Sequence, residues 1–118
     1  MAEPLPRRLN TDPLSGPTEP VPAERVVAGS PVVRFANAYS SDDGHFDSGI
    51  WESGPGRWRV SYTEHEVCVL IAGRIRLHPR AGDAVEFAAG DTFVIPAGFE
   101  GDWETLEPAR KLYVIYQP

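Results

Sequence analysis

Across the C-terminal two-thirds of this chain, apolar side chains recur at every second position and nowhere sustain a period of 3.6 residues. Successive side chains of an extended chain point to opposite sides, so period two marks strands with one buried face. Trp58-Arg59-Val60-Ser61-Tyr62 and Ile75-Arg76-Leu77 alternate in this way, while Glu66-Val67-Cys68-Val69-Leu70-Ile71 reads as a strand buried on both faces. Gly54-Pro55-Gly56, Gly73, Arg80-Ala81-Gly82-Asp83, Gly90-Asp91 and Ala97-Gly98 punctuate these runs. Glycine reaches backbone angles closed to other residues and proline cannot extend a ladder, so these are turns. Gly73 is expected to be a tight turn, and Asp102–Leu106 and Lys111–Tyr116 to be separate strands. Short strands at regular spacing predict an all-β sandwich or barrel.

A chain of 118 residues holds one core of normal size. Seven of the 12 prolines lie at or before Pro31. Proline lacks the amide donor that helices and inner strands need, so residues 1–29 read as an extended arm and 30–118 as the barrel.

The net charge is −6 and the pI about 4.9. Nucleic-acid binding needs Lys and Arg to neutralise phosphates, so an acidic chain is a poor candidate for it, and for an anionic membrane surface. Arg57, Arg59, Arg74, Arg76 and Arg80 stand among acids and read as cross-strand ion pairs on solvated faces. No apolar run reaches the roughly 20 residues of a membrane span. No opening segment reads as a leader, and the single cysteine, Cys68, forms no internal disulfide. A cytoplasmic protein with a reduced thiol is the expectation.

Two spaced motifs carry a family resemblance. The first runs Gly54, five residues, Val60, one, Tyr62, three, Glu66, six, Gly73; the second runs Gly90, five residues, Pro96, one, Gly98, two, Gly101. They resemble the paired motifs of cupins, which implies a double-stranded β-helix, the jelly-roll barrel. Glu66-Val67-Cys68-Val69-Leu70-Ile71-Ala72-Gly73, Phe93–Phe99 and Trp103–Tyr113 are similar to the small cupins grouped with ureidoglycine aminohydrolase and the ethanolamine-utilisation cupins. That resemblance covers Gly49–Tyr116 and implies a dimer with a ligand-sized pocket, but a shared fold transfers no reaction. In metal-binding cupins the positions of Val60, Tyr62 and Gly101 are histidines. Valine and glycine donate nothing and a neutral tyrosine is a poor ligand, so neither metal nor cofactor is expected.

Glu66 is the most informative side chain. Its parity with Cys68 and Leu70 aims it into the barrel, where an unpaired carboxylate is unfavourable and a general acid or base is one use for it. The alternative is a structural carboxylate bonded to Tyr62, Lys111 or an arginine. With Glu66 and Tyr62 as the catalytic candidates, Trp51, Trp58, Trp103 and Tyr113 are read as aromatic pocket walls. Replacement of a histidine by Gly101 is expected to leave room for a ligand beside Trp103. Lys111, the only lysine, can turn inward to neutralise Glu66 or capture a substrate carboxylate; turned outward, the default reading, it is a solvated strand residue. Cys68 is placed in the pocket as a small inert hydrophobe. His45, His65 and His78 match no ligand spacing.

The expected partner is a small molecule in the barrel, bound by a metal-independent hydrolase or isomerase. A non-catalytic sensor or accessory subunit, and a metal-dependent enzyme with atypical ligands, stay open. Val26, Val27, Val32 and Val33 suit the arm to pairing with a neighbour's sheet, which predicts a homodimer.

Overall fold

The computed structural model describes residues 4–118. Among them, regular structure comprises one 3-10 turn, Ala23–Arg25, and nine strands: β1 (Glu19–Pro20), β2 (Val26–Ala28), β3 (Val32–Ser40), β4 (Phe46–Ser53), β5 (Gly56–Ser61), β6 (His65–Pro79), β7 (Val85–Ala88), β8 (Thr92–Ile95) and β9 (Glu100–Tyr116). No helix is long and apolar enough to cross a membrane.

The two longest strands organise the rest. β6 and β9 run antiparallel from the pair His65/Tyr116 to the pair Pro79/Gly101. The first half of β6 also pairs with β8, through Glu66–Val69, and its second half with β7, through Arg74–Leu77. In the same way β9 pairs with β5 through Glu100–Thr105 and with β4 through Ala109–Tyr116. Each long strand therefore belongs to two half-sheets, and the ladder between them shifts register at Leu70/Ala72, Ala72/Arg74 and Arg74/Ile75. Such irregularities bend a strand and increase its twist, which lets one sheet curl into the jelly-roll barrel.

Gly73 and Pro108 mark this bend. In place of the expected turn, Gly73 lies inside β6 with φ +89°, and β9 continues through Pro108 where two strands were anticipated. A side chain at Gly73 would collide with the Pro108 carbonyl oxygen and come within 2.7 Å of Ala109 Cα. A positive-φ glycine and a proline that needs no ladder partner together accommodate a bulge, whereas local turn chemistry alone suggested a chain reversal.

Inward-facing residues alternate on either side of the bend: Cys68 and Leu70 before it and Ile75 and Leu77 after it on β6, with Phe93 and Ile95 on β8, Trp103 on β9 and Trp58 on β5, form one buried cluster. Outside, Arg74 and Arg76 share the Glu86 carboxylate at 2.6 and 2.9 Å, Arg57 binds Asp102 at 2.7 Å, and His78 binds Glu104 at 2.8 Å. These are the cross-strand pairs expected of the arginines, worth little individually in water.

The proline-rich segment lies along its own barrel. β1 pairs with β3 and β2 with β5, the Leu14 amide donates to Glu52 at 3.1 Å, and Arg34 donates to the Gly16 carbonyl at 3.0 Å. Val26–Ala28 thus cover the β5 edge of the same chain, while Val27 stays 45% exposed.

Gly73→Ala should combine steric collision with unfavourable φ and lower stability by more than about 2 kcal/mol. Gly44→Ala, at φ +76° but with no atom within 4 Å of the new methyl group, should cost only about 1 kcal/mol. Urea unfolding of the two variants separates the contributions; equal losses would exclude the bend as the sterically critical point.

Candidate functional site

The curl of the sheet leaves a cavity of about 420 Å³ whose lining includes Trp51 from β4, Trp58 and Val60 from β5, Glu66 from β6, and Trp103, Lys111 and Tyr113 from β9. Tyr62 lines it from the segment between β5 and β6. Seven of the eight residues expected to form a site therefore converge. The exception is Cys68, which is fully buried and touches the Glu66 carboxylate without lining the space.

At the cavity floor Lys111 Nζ lies 2.7 Å from Glu66 Oε2, and both side chains are 5% exposed. Lys111 thus points inward, against the default reading of a solvated strand residue. Its parity with Trp103 and Tyr113, both read as pocket walls, pointed inward; the charge of the side chain had argued for solvent. The ammonium also sits 4.3 Å from the Trp103 ring centroid and 4.6 Å from that of Trp51, within the range of favourable cation–π contact. The two rings meet edge to face at 5.1 Å, and Trp103 Nε1 donates to Thr105 at 2.9 Å. The Cys68 thiol donates to Glu66 Oε2 at 3.3 Å, while Lys111 reaches the sulfur at 3.7 Å.

Burial opposes the Lys111 charge more than any other single influence, yet the surrounding acidic groups Cys68, Tyr62 and Glu66 outweigh it and hold the ammonium above its ordinary pKa. Burial pushes the Cys68 thiol up to about 12, so it is no thiolate nucleophile near neutral pH. Burial likewise raises the Tyr62 hydroxyl, with Glu66 adding to the effect. It takes Tyr113 to about 12, helped by Asp47. Both tyrosines are neutral donors at physiological pH.

The residues present do not fit a cupin metal ion. Val60 and Gly101 offer no donor, Lys111 already neutralises the carboxylate that would hold the ion, and no three His, Cys, Asp or Glu side chains converge among the described residues. The room expected at Gly101 is filled: a side chain there would run into the His78 carbonyl oxygen and meet the Phe99 ring at 3.0 Å. The histidines are engaged elsewhere. His45 bonds the Gln117 carbonyl at 2.6 Å, His65 accepts from the Ala97 amide at 3.1 Å and His78 binds Glu104.

Sequence reasoning missed Phe35, Asn37, Asp47 and Glu64 at this cavity. Asp47 shares strand parity with Trp51, and Glu64 with Glu66, so period two held a usable signal for both. Asn37, which accepts a hydrogen bond from the Tyr113 hydroxyl at 2.8 Å, precedes a register shift in β3 that sequence does not reveal.

A family model described as the EutQ-like cupin domain matches residues 40–113. No curated protein sequence is a significant match. Among solved structures, a protein of unknown function of the DUF861 family from Pseudomonas syringae pv. tomato is similar at TM-score 0.80 and 25% identity, over 91% of this chain and 46% of that one. The EutQ protein of Clostridium difficile superposes at TM-score 0.66 with 20% identity, over 74% of this chain and 64% of its own length. A putative ethanolamine utilization protein Q from Salmonella typhimurium gives 0.64 and 19%, over 75% and 71% respectively. The chain thus spans less than two-thirds of the first two.

Removing one member of a buried ion pair leaves the other uncompensated, so Lys111→Met should lower stability by about 3–5 kcal/mol. Replacing both, as Glu66→Leu with Lys111→Met, should recover most of that loss; additive losses in this double-mutant cycle would refute the coupling. The pH dependence has a definite sign. Unfolded chains release the Cys68 proton near 9, the folded chain near 12, and Lys111 and Tyr62 are raised in the same sense. Stability should therefore be flat from neutrality to about pH 9 and fall above it, by about 1.4 kcal/mol per pH unit for each proton released only on unfolding. Cys68→Ala should delay the onset in urea titrations.

Proposed function

Since the chain belongs to the family of EutQ-like cupin domains, we propose that it binds a small polar metabolite in the barrel cavity and acts on it without a metal ion, as a hydrolase or isomerase. The observation that carries this reading is a carboxylate, Glu66, at the floor of a cavity of about 420 Å³, held by a buried ammonium at 2.7 Å. Spaces of this size with apolar walls and a few fixed polar groups are where small ligands bind. Lys111 balances and fixes the carboxylate, Glu66 takes or returns a proton, and the neutral Tyr62 hydroxyl donates to the reacting group. Trp51, Trp58, Trp103 and Tyr113 orient the ligand and exclude water, with Cys68 supporting Glu66 from behind.

A non-catalytic ligand sensor draws on the same cavity. It is favoured by the ion pair that neutralises Glu66, and it differs in predicting binding without turnover.

The working assembly we propose is a homodimer, supported by apolar side chains that face outward on neighbouring strands: Val94 is 60% exposed, Tyr116 51% and Val67 39%. The cytoplasm, where a lone thiol stays reduced, is the compartment this reading implies.

A thermal-shift screen of a metabolite library, beside metal analysis of the purified protein, tests the proposal. A stabilising metabolite with substoichiometric metal is the expected result, and Glu66→Gln and Glu66→Asp should abolish its turnover while circular dichroism shows both variants folded. Full turnover by Glu66→Gln removes the acid–base role; binding with no turnover in the parent selects the sensor. One tightly held metal per chain overturns the metal-free reading. Light scattering at micromolar concentration should give twice the mass of one chain.

A further inference from the structure

The cavity carries unequal charge. Asp47, Glu64 and Glu66 bring three carboxyl groups to its lining, whereas Lys111 is its one basic side chain. That ammonium is unavailable to an incoming ligand: it is 5% exposed, lies against Glu66 and is capped by the faces of Trp51 and Trp103. An anionic ligand would have to displace Glu66 and pass two further carboxylates, against the field of the site.

Hydrogen-bonding capacity points the same way. The Asn37 amide donates to Tyr39 and Ser40 and its oxygen accepts from Tyr113. Trp103 donates to Thr105. The donors of Asn37, Tyr113, Trp103 and Lys111 are thus committed within the protein. Asp47 takes one bond from Ser40 and Glu64 one, at 3.3 Å, from Thr63, while an ionised carboxylate accepts about four. The Tyr62 hydroxyl and the indole N–H groups of Trp51 and Trp58 add neutral donors to this lining, but its charges outside the Glu66–Lys111 pair are the Asp47 and Glu64 carboxylates, so a matching ligand brings positive charge.

Resting on the cavity reading above, we infer that the ligand is a small organic amine bound as its ammonium ion, its N–H groups on Asp47 and Glu64 and its carbon skeleton against the indoles. Of the two inward roles the sequence offered Lys111, it fills the neutralisation of Glu66, which leaves it no part in holding a substrate carboxylate.

The test uses three probes of matched shape, benzylammonium, benzyl alcohol and benzoate, followed by tryptophan fluorescence and calorimetry on the full chain. Benzylammonium should bind at least about tenfold more tightly than either of the others. Asp47→Asn and Glu64→Gln, both at partly exposed positions, should each weaken it about threefold to tenfold and leave the alcohol unchanged. Raising salt should weaken only the cation. Equal or tighter binding of the alcohol or benzoate, or a hit list of neutral and acidic metabolites from the screen, overturns the amine assignment and leaves the cavity as a binding site. Silence from every probe and from the whole screen overturns both.

Discussion

The ladder between β6 and β9 is the constraint on which everything else in this molecule depends. Two strands of fifteen and seventeen residues remain paired while passing from one half-sheet to the other, and every remaining strand of the barrel is attached to one of them or to their neighbours. The ladder brings the site residues onto one inner face: Cys68 opposite Tyr113 and Leu70 opposite Lys111, with Glu66 two positions further along. Were the register to slip by one residue, the ion pair would point to solvent and the outer valines would enter the core. Site and fold are therefore specified by the same set of backbone hydrogen bonds.

Within that frame the Glu66–Lys111 pair is an unusual use of stability. Desolvating two charges is costly, and a well-packed apolar replacement is often no worse. Here the arrangement softens the penalty in three ways: a 2.7 Å contact, a thiol donor on the same carboxylate oxygen, and two indole faces toward the ammonium. A charge pair assembled at this density beside an open cavity is preorganised, since no solvent has to be reoriented when a polar ligand arrives.

Much of this was legible in sequence because period two is legible. The alternation in Trp58–Tyr62 and Ile75–Leu77 indicated a sandwich or barrel, the spaced motifs chose the barrel, the parity of Glu66 placed a carboxylate inside it, and Trp51, Trp58, Trp103 and Tyr113 line the cavity. The failures at Gly73 and Asn37 share a cause, which is that bulges change parity without leaving a mark in composition. Gly73 looked like a reversal because a positive-φ glycine serves a turn and a bulge alike. Asn37 precedes a shift in β3 that is equally unmarked. That β2 pairs with β5 of its own chain was likewise unreadable, because sequence contains no statement of which sheet edge stands nearest. Lys111 keeps the parity of Trp103 and Tyr113 across Pro108, so alternation did hold its direction; its charge, which favours solvent, was given more weight.

The contact between Gly101 and the His78 backbone has an implication for the history open to such a barrel. Restoring a histidine ligand at position 101 is a small change in the gene but not in the protein, because the first carbon of any side chain meets a neighbouring strand's carbonyl group. The strands would have to separate before the ligand gave any advantage, and Lys111 would have to leave before an ion could enter. Each change alone costs stability, so a metal-holding form of this barrel is several coupled substitutions away rather than one.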